Sequence, residues 1–476
     1  MTSSEAVIVD WDGPDDPQNP KNWPKSRKWA ATLIVALFTF VSPVASSMIA
    51  PGSQQVADEF GLKSVVQLDM ITSIFVLGFA IGPLLMGPLS ELYGRAVVVQ
   101  LGNVFFLVWN LACGFAQNET QMIVFRFLAG IGGSAPLTIG GAVVGDTFNA
   151  DERGRAIAIY ALGPMVAGPV VGAWIVERVS WRWVFWSTTI FDVAVQVVGA
   201  ILLQETFAPV LLERKARKLE KAARADPEKG PSQQHRVFQT LMGIRSWKYV
   251  LKTALTRPTI LFLREPILQL LGVYMAFIYG IFYVFITTMP DIFSSVYHES
   301  LGIVGLNYIA LGLGMMFASW VNSNTMDRIY MYYKRKNGNG EPEYRVPTLV
   351  PASVLFPVGL LMTGWAAQKH IHWIVTDIGI FFVGASMILA FQSIQVYIVD
   401  VFTLYAASGI AAVACLRALC GFGFPLFANA MFDTLGYGKG NTILACIAIV
   451  LGCPAPWILW FYGRRIRTGS KFARKT

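Results

Sequence analysis

Asp192 sits near the middle of the apolar run Ile190-Phe191-Asp192-Val193-Ala194-Val195-Gln196. A carboxyl held there can gain and lose a proton as its surroundings alternate between wet and dry, and it fits equally an acid bonded permanently to a neighbouring helix. Asp69, Asp377, Asp400 and Asp433 lie nearer the ends of apolar runs, where water or helix termini satisfy them. Two arginines share the apolar setting, in Arg126-Phe127-Leu128-Ala129-Gly130 and Arg417-Ala418-Leu419-Cys420-Gly421. A guanidinium at the centre of a membrane costs at least about 2.5–3.5 kcal/mol unless paired or wet, so Arg126 should face the interior or bond neighbouring carbonyls. Arg417 is a candidate to balance Asp400.

Other chemistry is excluded by what the residues do not form. Cys113, Cys415, Cys420, Cys446 and Cys453 fall in or near apolar runs without metal-ligand spacing, and His235, His298, His370 and His372 are dispersed. No phosphate-binding Gly-rich loop leads into Lys-Ser/Thr, and no Ser-His-Asp or paired-carboxylate arrangement supports catalysis. The chain is therefore expected to be no enzyme, with no catalytic residues, no metal and no cofactor.

These residues must be positioned by helices that cross a membrane. Of the residues 54% are hydrophobic and only 14% charged, with a mean hydropathy of +0.52. Apolar stretches of about 20 residues, enough for about 30 Å of hydrocarbon, recur twelve times. They run over 29–50, 68–89, 96–116, 122–145, 155–177, 182–203, 264–289, 302–324, 347–367, 373–398, 404–430 and 441–462. The polar segment 204–263 divides them into six plus six. The expected domains are a tail over 1–28, a six-helix half over 29–203, a central loop over 204–263, a second half over 264–462 and a tail over 463–476. Alternating sides places about four-fifths of the 38 Lys and Arg with the two termini, which puts both in the cytoplasm. The net charge of +9 thus follows from topology, and no soluble module is present to bind nucleic acid. The alternating charges of Glu213 to Lys221 suit a solvated linker, or a helix lying along anionic lipid.

The fifth run carries an unusual density of breakers, Gly163-Pro164-Met165-Val166-Ala167-Gly168-Pro169-Val170-Val171-Gly172. Proline frees a carbonyl that lipid cannot satisfy, so this run should face protein or a cavity. Gly163 with Ala167, and Gly168 with Gly172, stand four apart and admit a close helix neighbour. Such a run reads as a working part of a transporter.

The loop Gly87-Pro88-Leu89-Ser90-Glu91-Leu92-Tyr93-Gly94-Arg95 resembles the cytoplasmic signature of the major facilitator superfamily, with Glu91 where that family more often has Asp. Glu91 and Arg95 are four apart and can pair or cap helix ends. Asn322-Ser323-Asn324-Thr325-Met326-Asp327-Arg328 echoes the loop in the second half, as two related halves require. Arg126 to Gly133 resembles the superfamily's fourth-span motif, and Gly163, Pro164, Gly168, Pro169 and Gly172 its fifth-span antiporter motif. Trp11 to Pro17, Asn19 to Trp23, Trp181 to Trp186, Glu205 to Leu212 and Tyr274 to Gly280 are similar to the fungal twelve-span drug:proton antiporters. The resemblance implies an all-α, twelve-helix fold of two pseudo-symmetric halves. It also implies a cytoplasmic latch of Gly87, Glu91, Gly94, Arg95, Asp327 and Arg328.

The expected function is alternating-access export of small amphiphilic compounds in exchange for protons, with Asp192 and Arg126 coupling the two. A proton symporter importing a nutrient or polyamine is the first alternative, and a transporter-like receptor without flux the second. Tyr279, Tyr283, Asn307, Tyr308, Gln392, Gln395 and Tyr397 are the candidate cavity residues, because aromatic faces and amides bind bulky molecules without demanding one geometry. The Asn118-Glu119-Thr120 sequon permits glycosylation in an outward loop. The expected partners are the amphiphile, protons and membrane lipid, for a monomer in the plasma membrane or, as the alternative, a vacuolar or vesicular one.

Overall fold

A computed structural model of the chain describes residues 7–62, 64–148, 167–225, 238–240 and 247–473. Gly163 and Pro164 lie outside the described residues. The first half holds α1 (Lys25–Ser47), the short α2 (Ser53–Phe60), α3 (Val65–Tyr93), α4 (Arg95–Cys113), α5 (Glu119–Thr147), α6 (Ala167–Arg178) and α7 (Arg182–Leu202). After it come α8 (Ala208–Ala225) and α9 (Trp247–Arg264), then the second half of α10 (Pro266–Asp291), α11 (Leu301–Asn337), α12 (Leu349–Gln368), α13 (Trp373–Phe402), α14 (Ala406–Gly423), α15 (Pro425–Gly452) and α16 (Pro454–Gly469). Among the described residues eleven helical stretches are long and apolar enough to cross a membrane. The fifth predicted span, of which α6 is the described part, completes twelve.

Local chemistry sets the ends. α1 contains 23 residues, about 35 Å at 1.5 Å per residue. Asn118 caps α5 by accepting the amide of Gln121 at 2.9 Å, and Pro266 opens α10 where a missing N–H costs nothing. α11 runs to Asn337, well past the predicted 324, and stops at Gly338 (φ 77°) with Lys334, Arg335 and Lys336 in its last turn. Gly436 (φ 77°, ψ 162°) breaks α15, so residues 425–435 extend the eleventh span and 437–469 form the twelfth. Leu101 (64% exposed), Ile201 (72%) and Val450 (71%) face outward, a surface suited to lipid and not to water.

The central loop departs from the expected solvated linker. Val210 and Ala216 of α8 are buried, and Val7–Val9 (β1) pairs in parallel with Phe238–Thr240 (β2). The N-terminal tail folds into a turn around Asp16, whose carboxylate accepts the amides of Asp12 (3.0 Å) and Gln18 (2.8 Å). Lys215 of α8 grips the same turn at Asp12 (2.6 Å) and Asp16 (3.7 Å). The two amides, then Lys215, hold the Asp16 carboxyl below the ordinary aspartate range. A lowered value contributes stability that is full above that range and is lost as pH falls through it. Protection of the Asp12 and Gln18 amides, measured against the intrinsic exchange rate at each pH, should therefore hold at neutral pH and be lost only below the ordinary aspartate range. Loss of protection already near pH 6 would show that Asp16 does not hold the turn.

Candidate functional site

Asp192 is fully buried in α7, and both its oxygens lie 3.0 Å from Asn103 Nδ2 of α4, which is also 3.0 Å from Gln196 Oε1. Arg126 is equally buried in α5, but the two do not meet. Its guanidinium donates to the carbonyls of Ala45 (2.8 Å), Ser46 (2.8 Å), Ile71 (3.1 Å) and Thr72 (3.2 Å). Ala45 and Ser46 end α1, and among the described residues no backbone amide takes their carbonyls. Arg126 thus caps α1 and ties it to α3, with the Phe75 ring 4.7 Å beneath it. Arg126, expected to act together with Asp192, makes no contact with it, and four of its five N–H donors are taken by carbonyls.

An even number of crossings puts the start of α1 and the end of α16 on one face, termed here the terminal face; the opposite one is the far face. The two halves are joined toward the far face. Ser46 and Tyr283 hydroxyls lie 3.1 Å apart across the seam, and Asn429 donates to Asp69 at 2.9 Å. Asp69 is 3% exposed and its other oxygen has no partner, so neither water nor a helix end satisfies it as expected: α15 closes over the start of α3. Asp291 and Asp433 stand near enough for their charges to act on it.

α6 threads this seam. A Cβ added at Gly168 would stand 2.6 Å from Ser47 Oγ and Val44 O, and one at Gly172 would strike Met48 O, so these glycines let α6 lie directly on the end of α1. On its other side α6 meets α11, where a Cβ at Gly305 would stand 3.3 Å from Val170 O and 3.5 Å from Pro169 O. Gly172→Val should lower stability by about 1–3 kcal/mol through overpacking against backbone that cannot yield. A thermal melt in detergent reads this directly, and an unchanged midpoint would mean that α6 and α1 do not pack this closely.

At the terminal face Arg95 does not pair with Glu91. It reaches Asp146 (3.3 Å) and Ser90 Oγ (2.6 Å), while Glu205 accepts the Arg95 amide at 2.8 Å. Gly94 has φ +105°, and a Cβ there would collide with the Glu205 carboxylate. Gly87 has only the Thr138 methyl at 3.9 Å in reach of such a Cβ. The second half repeats the arrangement with a different arginine. Arg345, not Arg328, pairs with Asp400 (3.1 Å) and Asp327 (2.6 Å), and Glu343 pairs with Arg467 (3.0 Å). Arg345 enters span nine as Arg95 enters span three, and Asp400 ends span ten as Asp146 ends span four. Among the described residues Arg328 makes no ion pair. Glu205 is legible only as part of a motif and Arg345 not at all, because Glu205 lies 110 residues from Arg95, and Arg345 lies 55 from Asp400 and 18 from Asp327.

Of the cavity candidates, Tyr279 and Tyr283 lie together, ring centroids 5.2 Å apart, on the seam face of α10. Gln395 lines a cleft with Met275, Phe391 and Arg417. The other four are turned elsewhere by stronger partners or by packing. Asn307 donates to Glu299 (2.6 Å), Tyr308 donates to Ile286 O (2.6 Å), Gln392 accepts from Asn322 (2.8 Å), and Tyr397 is buried beside Gly463. Asn118 is exposed at the start of α5. Among the described residues no three His, Cys, Asp or Glu gather as a metal site. Arg417 does not balance Asp400, whose partner is Arg345.

Twelve membrane-crossing helices in two related halves, with glycine-packed seams and a mainly apolar cleft holding Arg417 and Gln395, have the build of a membrane transporter. The model of the Major Facilitator Superfamily matches residues 35–425, and the chain belongs to that family. It is similar to the efflux pump vrtL of Penicillium aethiopicum, 46% identical over 98% of this chain and 91% of that protein. The MFS-type transporter penM of Penicillium rubens is 42% identical over 98% of this chain and 90% of that one. Among solved structures, the partially occluded inward-open xylose transporter XylE from E. coli superposes with a TM-score of 0.66 at 14% identity, covering 92% and 98% of the two chains; this likeness speaks for the fold.

Proposed function

We propose that the protein exports small amphiphilic organic molecules from the cytoplasm in exchange for external protons, both termini being cytoplasmic and the plasma membrane its site. The observation that carries this reading is Asp69, a carboxyl buried on the joint that must part when the far face opens. Proton uptake at the far face neutralises Asp69 and lets the joint close. Proton loss to the terminal side leaves Asp69, Asp291 and Asp433 repelling one another, and the far face reopens with substrate inside. Asp192 is the alternative proton carrier, but its partner Asn103, and Gln196 to which Asn103 also donates, belong to the same half. Arg126 positions α1 and α3 beneath the joint, and the networks around Arg95 and Arg345 brace the terminal face of each half. The direction of transport is supported by the relative named an efflux pump.

Uptake of labelled amphiphiles into inside-out vesicles, under an acid-interior gradient then collapsed with a protonophore, tests the reading. Accumulation that depends on the gradient supports export. Flux in the opposite direction, or accumulation indifferent to the gradient, would favour the importing symporter or a facilitator.

A further inference from the structure

Arg417 is a half-buried cation in the middle of α14 that the fold leaves without a counterion. Among the described residues it makes no ion pair and no hydrogen bond; its guanidinium carbon lies 4.7 Å from the Tyr279 ring centroid and 5.0 Å from that of Phe391. The arginine of span four, Arg126, places four of its five N–H donors on carbonyls, so an arginine with none placed is not what this fold requires of a buried guanidinium. Four residues along α14 from Arg417, Gly421 lies against the seam: a Cβ there would stand 3.0 Å from Tyr279 and 3.1 Å from Val76 of the first half. Arg417 therefore stands on the inner wall of the second half. The cleft beside it runs past Ile398 and Ile410, toward the terminal-face ends of α13 and α14. Gln395 also lines that cleft, and among the described residues its amide has no partner. The free volume is about 40 Å³, room for a few waters but not for a bulky molecule, so a ligand must widen the cleft as the halves move.

We infer that Arg417, with Gln395, forms a subsite for an oxyanion carried on an aromatic ligand, so that the exported compounds are acidic aromatics such as aryl carboxylates or phenolates. A guanidinium presents a planar fork of donors that matches a carboxylate, and the Tyr279 and Phe391 rings fix its plane and offer faces for the ligand's own ring. This inference rests on the export reading for its biological sense, but binding tests it separately.

Three fluorescent probes share one ring system and differ in charge: dansylglycine is an anion, its methyl ester neutral and dansylcadaverine a cation. Binding to the purified full chain in detergent should favour dansylglycine over the ester by about tenfold or more, as one charge-assisted interaction allows, and should be weakest for the cation. In Arg417→Gln the ratio of anion to ester affinity should collapse toward one, while Arg417→Lys keeps part of it. Equal binding of anion and ester by the unaltered protein, tightest binding of the cation, or loss of both ligands together in Arg417→Gln would overturn the subsite. An anion preference in a protein that shows no gradient-driven flux would keep the subsite and reject the export reading.

Discussion

Arg126→Ala is expected to lower the stability of the protein by roughly 2–6 kcal/mol, because it strands the buried carbonyls of Ala45 and Ser46 at about 1–3 kcal/mol each. Ile71 and Thr72 lose less, since their carbonyls also lie within the continuing helix α3. Among the described residues no water-facing route exists for the two end carbonyls of α1: Ala45 and Ser46 are both buried. Arg126→Lys should recover part of the loss, because an ammonium has three donors but cannot span four acceptors in the plane of a guanidinium. Intrinsic fluorescence of the chain's 14 tryptophans during a thermal melt reads the effect. A variant that melts like the unaltered protein yet loses gradient dependence would return Arg126 to a direct part in coupling.

How much of this was legible beforehand differs between fold and site. Hydropathy located the spans closely, as with 182–203 against Arg182–Leu202, since lipid demands an uninterrupted apolar stretch. It could not see that α11 continues to Asn337 or α16 to Gly469, because those turns are charged and leave the apolar layer. The breakers of α6 were readable as a close-packing surface, although only the structure shows α1 on one side and α11 on the other. The ionic networks were half legible. Arg95 stood out, but spacing along one helix suggested Glu91, whereas tertiary packing supplies Asp146 and Glu205. In the second half α11 runs on to Asn337, so the corresponding arginine falls at Arg345, beyond the reach of a motif read at constant spacing. Asp69 was passed over for a physical reason: a span end is wet in isolation, and only the partner half makes it dry.

The second large effect concerns that residue. In Asp69→Asn an amide replaces the carboxyl, so the bond to Asn429 can be rebuilt with the amide oxygen as acceptor, but the proton can no longer be lost. The joint then closes as before and lacks the charge that reopens it in step with the proton. Substrate exchange needs only alternation of the loaded carrier, whereas uphill accumulation needs the proton. Asp69→Asn should therefore lose essentially all gradient-driven accumulation while keeping a substantial share of exchange, and Asp192→Asn should keep both.

The most direct measurement is paired uphill accumulation and equilibrium exchange of one labelled amphiphile in vesicles holding the unaltered protein, Asp69→Asn or Asp192→Asn. The account predicts exchange without accumulation in Asp69→Asn alone. Full proton-driven accumulation in Asp69→Asn would contradict it, and the same result joined to a loss in Asp192→Asn would move the proton to the contact between α4 and α7.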